Sequence, residues 1–267
     1  MDSHSAPHLP RSVLLALWLR SSPRPAPSVT GAGDPLLRAV QGDDEAHAVV
    51  GRIGDEDVLV STPRTLADLV GRWSGGPRQV VALLPAPGDV LGVPAPVSPA
   101  AADAGECVLV TTRDGSWAAV PEVEEFGSVY EPGHLVTWHV EPVPAWTDRV
   151  LGVVGSLSDA ERDLRTALLT ATEALMSLDV ARWREDAADQ IAQLRSGTLP
   201  GTLLPPDLDG RTVRVLSQAA RLRGIVDLAT ADDGGAVNLW QADQRSSALR
   251  EVERGARRAM SAATLAL

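Results

Sequence analysis

The 267-residue chain contains no lysine; all 24 of its basic residues are arginine. This excludes chemistry that needs a side-chain amine, such as a Schiff-base lysine or the phosphate-binding lysine of a Walker motif. The lone cysteine, Cys107, allows no intramolecular disulfide and no cysteine metal cluster, which suits a reducing cytoplasm. One Phe and one Tyr stand beside seven Trp. No apolar run approaches the roughly 20 residues of a membrane-spanning helix. The short run from Ser12 to Leu19, flanked by Arg11 and Arg20, reads as a helix packed on the domain behind it rather than as an export signal. A basic field is missing as well. The net charge of −11 argues against a nucleic-acid or anionic-membrane surface.

What is present is unevenly distributed. Residues 1–150 hold 10 Arg against 19 Asp and Glu, and residues 151–267 hold 14 Arg against 16 acids, so the acidity belongs to the first half. Proline divides the chain at nearly the same point. Seventeen of the 20 Pro lie at or before Pro144, and the others are Pro200, Pro205 and Pro206. Because Pro removes a backbone donor and breaks helices, the first half reads as strand and loop and the second as helix. The expected fold class is α+β: an N-terminal, Pro-rich mixed β-sheet domain with short helices, followed by a C-terminal antiparallel helical bundle. Its parts are a short helix and Pro-rich linker over 1–33, a mixed sheet domain over 34–146, and a bundle of three to four helices over 147–267.

In the first half, Asp34-Pro35 opens a short helix, with Asp as N-cap. A strand over Asp57–Val60, a helix from Pro63 to Trp73 and a buried strand over Gln79–Leu84 suggest a small β-α-β unit. Residues 85–105 read as an irregular loop. Strands over Cys107–Thr112 and Trp117–Val120 flank Arg113-Asp-Gly-Ser116, a hairpin signal. The strand from His134 to Glu141 alternates, with Val136, Trp138 and Val140 on one side and Thr137, His139 and Glu141 on the other.

The second half carries stripes at helical spacing. The first is Leu157, Leu164, Leu168, Ala171, Leu175 and Leu178, started by a capping box at Ser158–Glu161. A break near Ser177–Asp179 is expected, since an unbroken helix to Arg195 would run about 60 Å. The next stripe is Trp183, Ala187, Ile191 and Leu194. Val215, Ala219, Leu222, Val226 and Ala229 mark a third helix, for which Asp209 is a natural N-cap. Leu249, Val252, Ala256, Ala259 and Ala263 mark a fourth. Short connections make such helices antiparallel neighbours.

The best catalytic candidates are Thr137, His139 and Glu141, where the carboxylate orients a histidine acting as base. No nucleophile motif accompanies them, and a solvated sheet face explains them more simply. His134 and His139 point to opposite faces of a strand, so no metal site and no cofactor is expected. Glu122, Glu124 and Glu125 read as a solvated acidic loop. Arg250, Arg254, Arg257 and Arg258 fall on one side of the last helix and could hold an anion or dock a partner, although an ordinary exposed face is the simpler reading. The expected function is a non-catalytic interaction or regulatory module in the cytoplasm. Its bundle would meet an unidentified protein partner or a second copy, with no nucleic acid and no membrane. The alternative is an enzyme or small-molecule binder with its site between the two domains.

Overall fold

The computed structural model describes residues 7–21, 34–53, 56–57, 64–128, 131–177, 197–231 and 239–265. Contacts divide the chain into two units. One holds Pro10–Gly155 with Gly201–Leu208 and Thr264–Leu267; the other holds Ser156–Pro200 and Asp209–Ala263, together with Met1–Leu9. The chain is thus a mixed α+β protein with a sheet and helices.

The first unit is built on a sheet of strands β1 (Ala48–Ile53), β2 (Glu56–Asp57), β3 (Arg64–Thr65), β4 (Gln79–Leu83), β5 (Cys107–Thr112), β6 (Gly115–Ser128) and β7 (Glu131–Pro142). Their order is β2-β1-β7-β6-β5-β4, and β3 also pairs with β1. Every pairing is antiparallel except β1 with β7, where Ala48 to Gly51 run parallel to Thr137 to Val140. Strand β1 was not foreseen, and the expected β-α-β unit does not form. Asp57, the one described residue of its first expected strand, ends β2 at the far side of the sheet from β4, and β4 pairs antiparallel with β5. Residues 58–60, part of its first expected strand, lie outside the described residues.

The short helices follow local chemistry. Helix α1 (Arg11–Ser21) buries Ser12 to Leu17 and Leu19, and a helix apolar nearly all round belongs inside. It packs on β4 and β5 within this unit. Its first turn meets a carboxylate, since the Ser12 N–H donates to Glu106 Oε2 at 2.7 Å. Its last turn meets a guanidinium, since Arg78 Nε donates to the Leu19 carbonyl at 2.7 Å. Both contacts satisfy terminal backbone groups and match the helix dipole. Helix α2 (Pro35–Gln41) starts as expected, with Asp34 Oδ1 accepting from the Leu36 N–H. Helix α3 (Leu66–Trp73) carries a full capping box from Thr65 and Asp68. The stretch expected to be irregular, 85–105, contains a 3-10 turn at Ala95–Val97 and α4 (Ser98–Ala104), because prolines at the first positions of a helix cost no hydrogen bond. Helix α5 (Thr147–Val154) follows β7.

Strands β4 and β5 have no polar face. Val80 to Leu83 and Cys107 to Val110 are fully buried. Burial pushes the Cys107 thiol up to about 12, helped by the charge of Glu106 and opposed by a backbone bond from Leu83. A thiol held so high is inert. Alkylation of the native protein by iodoacetamide at pH 8 is expected to be negligible until denaturant is added, as mass spectrometry can check.

The second unit contains α6 (Leu157–Ser177), α7 (Gly210–Ala231) and α8 (Leu239–Thr264) up to Ala263. The expected second helix of this half, from Asp179, lies outside the described residues. The start of α6 is held by Ser156, whose Oγ accepts from the Asp159 N–H at 3.1 Å, so the cap sits two residues before the expected Ser158. Ala160, Leu164 and Ala167 are its buried residues among those described, with Leu168 half-buried. Asp209 caps α7 as expected, accepting from the Arg211 and Thr212 N–H groups. The stripes on α7 and α8 are buried as spaced in the sequence. Gly255 lets α8 approach α6 closely, with Leu164 and Ala167 atoms 3.4 Å from where its Cβ would sit. Arg211 joins α7 to α6 through Glu161 at 2.8 Å.

Candidate functional site

Thr137, His139 and Glu141 do share one face of β7, and that face is open: His139 and Glu141 are exposed and Thr137 is half-buried. The structure does not bring them together as expected. The carboxylate beside His139 is Glu122 of β6, with Nε2–H donating to Oε2 at 2.7 Å. Glu141 stands opposite Ala118, and Glu122 opposite Thr137, so Glu122 is the diagonal neighbour of His139 across the strand pair. Long side chains reach along that diagonal. With both partners exposed the pair contributes little to stability.

A denser polar cluster lies elsewhere in the sheet unit, around Asp44 in the connection from α2 to β1. Arg11 donates from Nη2 at 2.6 Å and Nε at 3.2 Å to Asp44 Oδ2. His134 Nδ1–H donates to Oδ1 at 3.2 Å. His47 lies wholly buried, and its Nδ1 accepts from Trp138 Nε1–H at 3.1 Å. That leaves the ring proton on Nε2, directed at Asp44 Oδ2 over 3.5 Å. Burial alone would raise the Asp44 carboxyl, but the bonds and charge of Arg11, with His47 and His134, hold it below the usual range. Burial pulls His47 down to about 4, against its hydrogen bond to the Asp44 carboxylate, which raises it. The cluster ties α1, the α2–β1 connection and β7 into one structure. Sequence reasoning missed it because Arg11, Asp44 and His134 are 33 and 90 residues apart, and no spacing rule links them.

The arginines of α8 are only partly a face. Arg250 and Arg254 are exposed, but Arg257 is buried at 5% exposure beside Glu253. Arg254 pairs with Glu251 at 3.0 Å and Arg258 with Asp163 at 3.6 Å. Much of the charge expected to await an anion is therefore matched by neighbouring acids.

The feature that stands out is a two-stranded ribbon. Strand β5 pairs with β6 only from Gly115 to Ala119, and β1 pairs with β7 only from Thr137. Strands β6 and β7 nevertheless continue together from Pro121↔Trp138 to Ser128↔Glu131. Glu122, Glu124 and Glu125, expected in a loop, are therefore on an extended strand. Cross-strand partners share a face, so Glu122, Glu124 and Phe126 lie with Thr137, Leu135 and Gly133 on one side, and Val123 and Glu125 on the other. Phe126, Leu135 and Val123 are 48%, 47% and 39% exposed. The Phe126 ring covers Gly133, occupying the space a Cβ there would take.

The fold and these surfaces define a two-domain α+β protein with an acidic, apolar-tipped ribbon. The chain belongs to the Rv1486c-like protein family: its N-terminal domain model matches residues 12–151 and its C-terminal domain model residues 158–261. No curated protein and no solved structure is significantly similar to it. Among the described residues, no helix is long and apolar enough to cross a membrane and no group of three or more His, Cys, Asp or Glu is placed to hold a metal ion.

Proposed function

We propose that this protein is a non-catalytic interaction module whose binding surface is the β6–β7 ribbon, and that it works in the cytoplasm. The observation that carries this reading is the exposure of Phe126 and Leu135, diagonal neighbours on one face of two strands that run past their neighbours. Apolar side chains grouped on a surface and flanked by charge mark contact sites, and an unpaired strand edge invites another chain. The helical unit serves this reading as an antiparallel bundle that supplies the second domain. The matched arginines of α8 make it the weaker surface.

The test is a bait experiment in extract of the native host. Wild-type protein is expected to retain a defined set of proteins, and the Phe126→Ser/Leu135→Ser pair to lose them. Because both residues are already half-exposed, the double variant should melt within about 1 kcal/mol of wild type. Equal retention by the two baits would contradict the proposal. A thermal-shift screen against nucleotides and metabolites is expected to stay flat; a ligand at 100 times its dissociation constant would add about 2.7 kcal/mol and favour the small-molecule alternative.

A further inference from the structure

Resting on that reading, the structure also indicates what the partner looks like. We infer that the outer edge of β6, from Glu122 to Phe126, accepts an added strand from a basic, apolar-patterned segment of another protein. Three observations meet here. Among the described residues no strand pairs with β6 on this side beyond Ala119, so the stretch from Glu122 to Phe126 meets no ladder partner there among those residues. Residues 122 to 128 are all exposed. And the five side chains along the edge alternate in a definite way: Glu122, Glu124 and Phe126 on one face, Val123 and Glu125 on the other.

Strand addition supplies affinity through backbone hydrogen bonds and specificity through side chains opposite one another on each face. A segment running antiparallel to β6 meets Phe126, Glu125, Glu124, Val123 and Glu122 in that order. Its complementary pattern is apolar, basic, basic, apolar, basic. A second copy of this chain is a poor occupant. Antiparallel pairing of two such edges centred on Glu124 sets Glu124 against Glu124 and Glu125 against Val123, and like charges directly opposite repel.

The experiment uses the full-length protein and fluorescein-labelled ten-residue peptides read by anisotropy. One carries Val-Arg-Arg-Val-Arg between Gly-Ser flanks; the other carries Val-Glu-Glu-Val-Glu. The arginine peptide is expected to bind saturably and the glutamate peptide not at all. Affinity should fall at least tenfold in Glu124→Lys/Glu125→Lys, and again near 1 M salt, where the Debye length is about 3 Å. N-methylating alternate residues of the peptide should abolish binding in one phase and spare it in the other, which plain charge attraction would not do. Equal binding of both peptides, no saturable binding, or insensitivity to the N-methyl phase would each overturn the inference. So would concentration-dependent self-association that Phe126→Ser removes, since the edge would then take a second copy. If the bait experiment is ribbon-dependent while the arginine peptide fails, only the strand-addition inference falls. If the bait experiment is indifferent to the ribbon, the interaction reading falls with it.

Discussion

Lowering the pH from 6.5 to 4 is expected to remove about 3 kcal/mol of folding stability through His47 alone. In the unfolded chain this histidine takes up a proton near 6.5, whereas in the folded protein burial holds it neutral down to about 4. Across that window the unfolded state binds more protons, so stability falls as the pH drops and is intact above 6.5. Burial dominates for a plain reason. The ring is fully enclosed, and its Nδ1 is committed to the Trp138 indole N–H, so a second ring proton has no acceptor on that side. Asp44 adds a further loss at lower pH, because its folded carboxyl titrates below the ordinary value near 3.8 and must be protonated against Arg11. Urea titrations at pH 7, 5.5 and 4.5 would show the midpoint falling at constant slope. In His47→Gln the fall between pH 6.5 and 4 should shrink to a small fraction of its wild-type size. An undiminished fall in that variant would move its cause to other groups.

The second large effect is expected from Gly51→Ala, at about 4 kcal/mol or loss of the folded state. Gly51 has φ of +104°, a conformation L residues rarely adopt. It also stands directly beside Val140 where β1 runs parallel to β7, and a Cβ there would collide with the Val140 carbonyl oxygen. Strain and collision act together, and neither is relieved by turning a side chain. The substitution should part β1 from β7 and disturb the Asp44 cluster, since His47 immediately precedes β1. Gly42→Ala is the useful contrast. Gly42 also has positive φ, +57° with ψ −125°, but nothing lies within 4 Å of its Cβ position, so it should cost only the backbone strain, about 1–3 kcal/mol. Thermal melts of the two variants separate the backbone term from the packing term.

Much of the architecture was readable because it is local. Spacing of apolar residues located α6, α7 and α8, and Asp34 and Asp209 announced the caps of α2 and α7. Proline kept the strands before Pro144 but did not exclude helix there, since α1 to α4 lie in the same half of the chain. What escaped depends on pairing at a distance. Nothing in Gln79–Leu83 says that it borders β5 rather than β1, because a run buried on both faces carries no register signal. Glu122, Glu124 and Glu125 resemble a loop by composition, and only the twelve-pair register with β7 makes them a strand. The Thr137, His139, Glu141 face was correctly phased by alternation, yet the partner of His139 came from the neighbouring strand. The Asp44 cluster left no local trace except Asp44 and His47 three residues apart.

The most direct test of the account places a photo-crosslinking phenylalanine analogue at position 126 in the native host, with position 169 of α6 as a control of comparable exposure. Leu169 is exposed like Phe126 but lies in the helical unit. Discrete crosslinked partners are expected from position 126, none of them from position 169, and they should disappear when Leu135 is also changed to Asp. Crosslinks that appear equally from both positions, or only from 169, would contradict the ribbon as the binding surface.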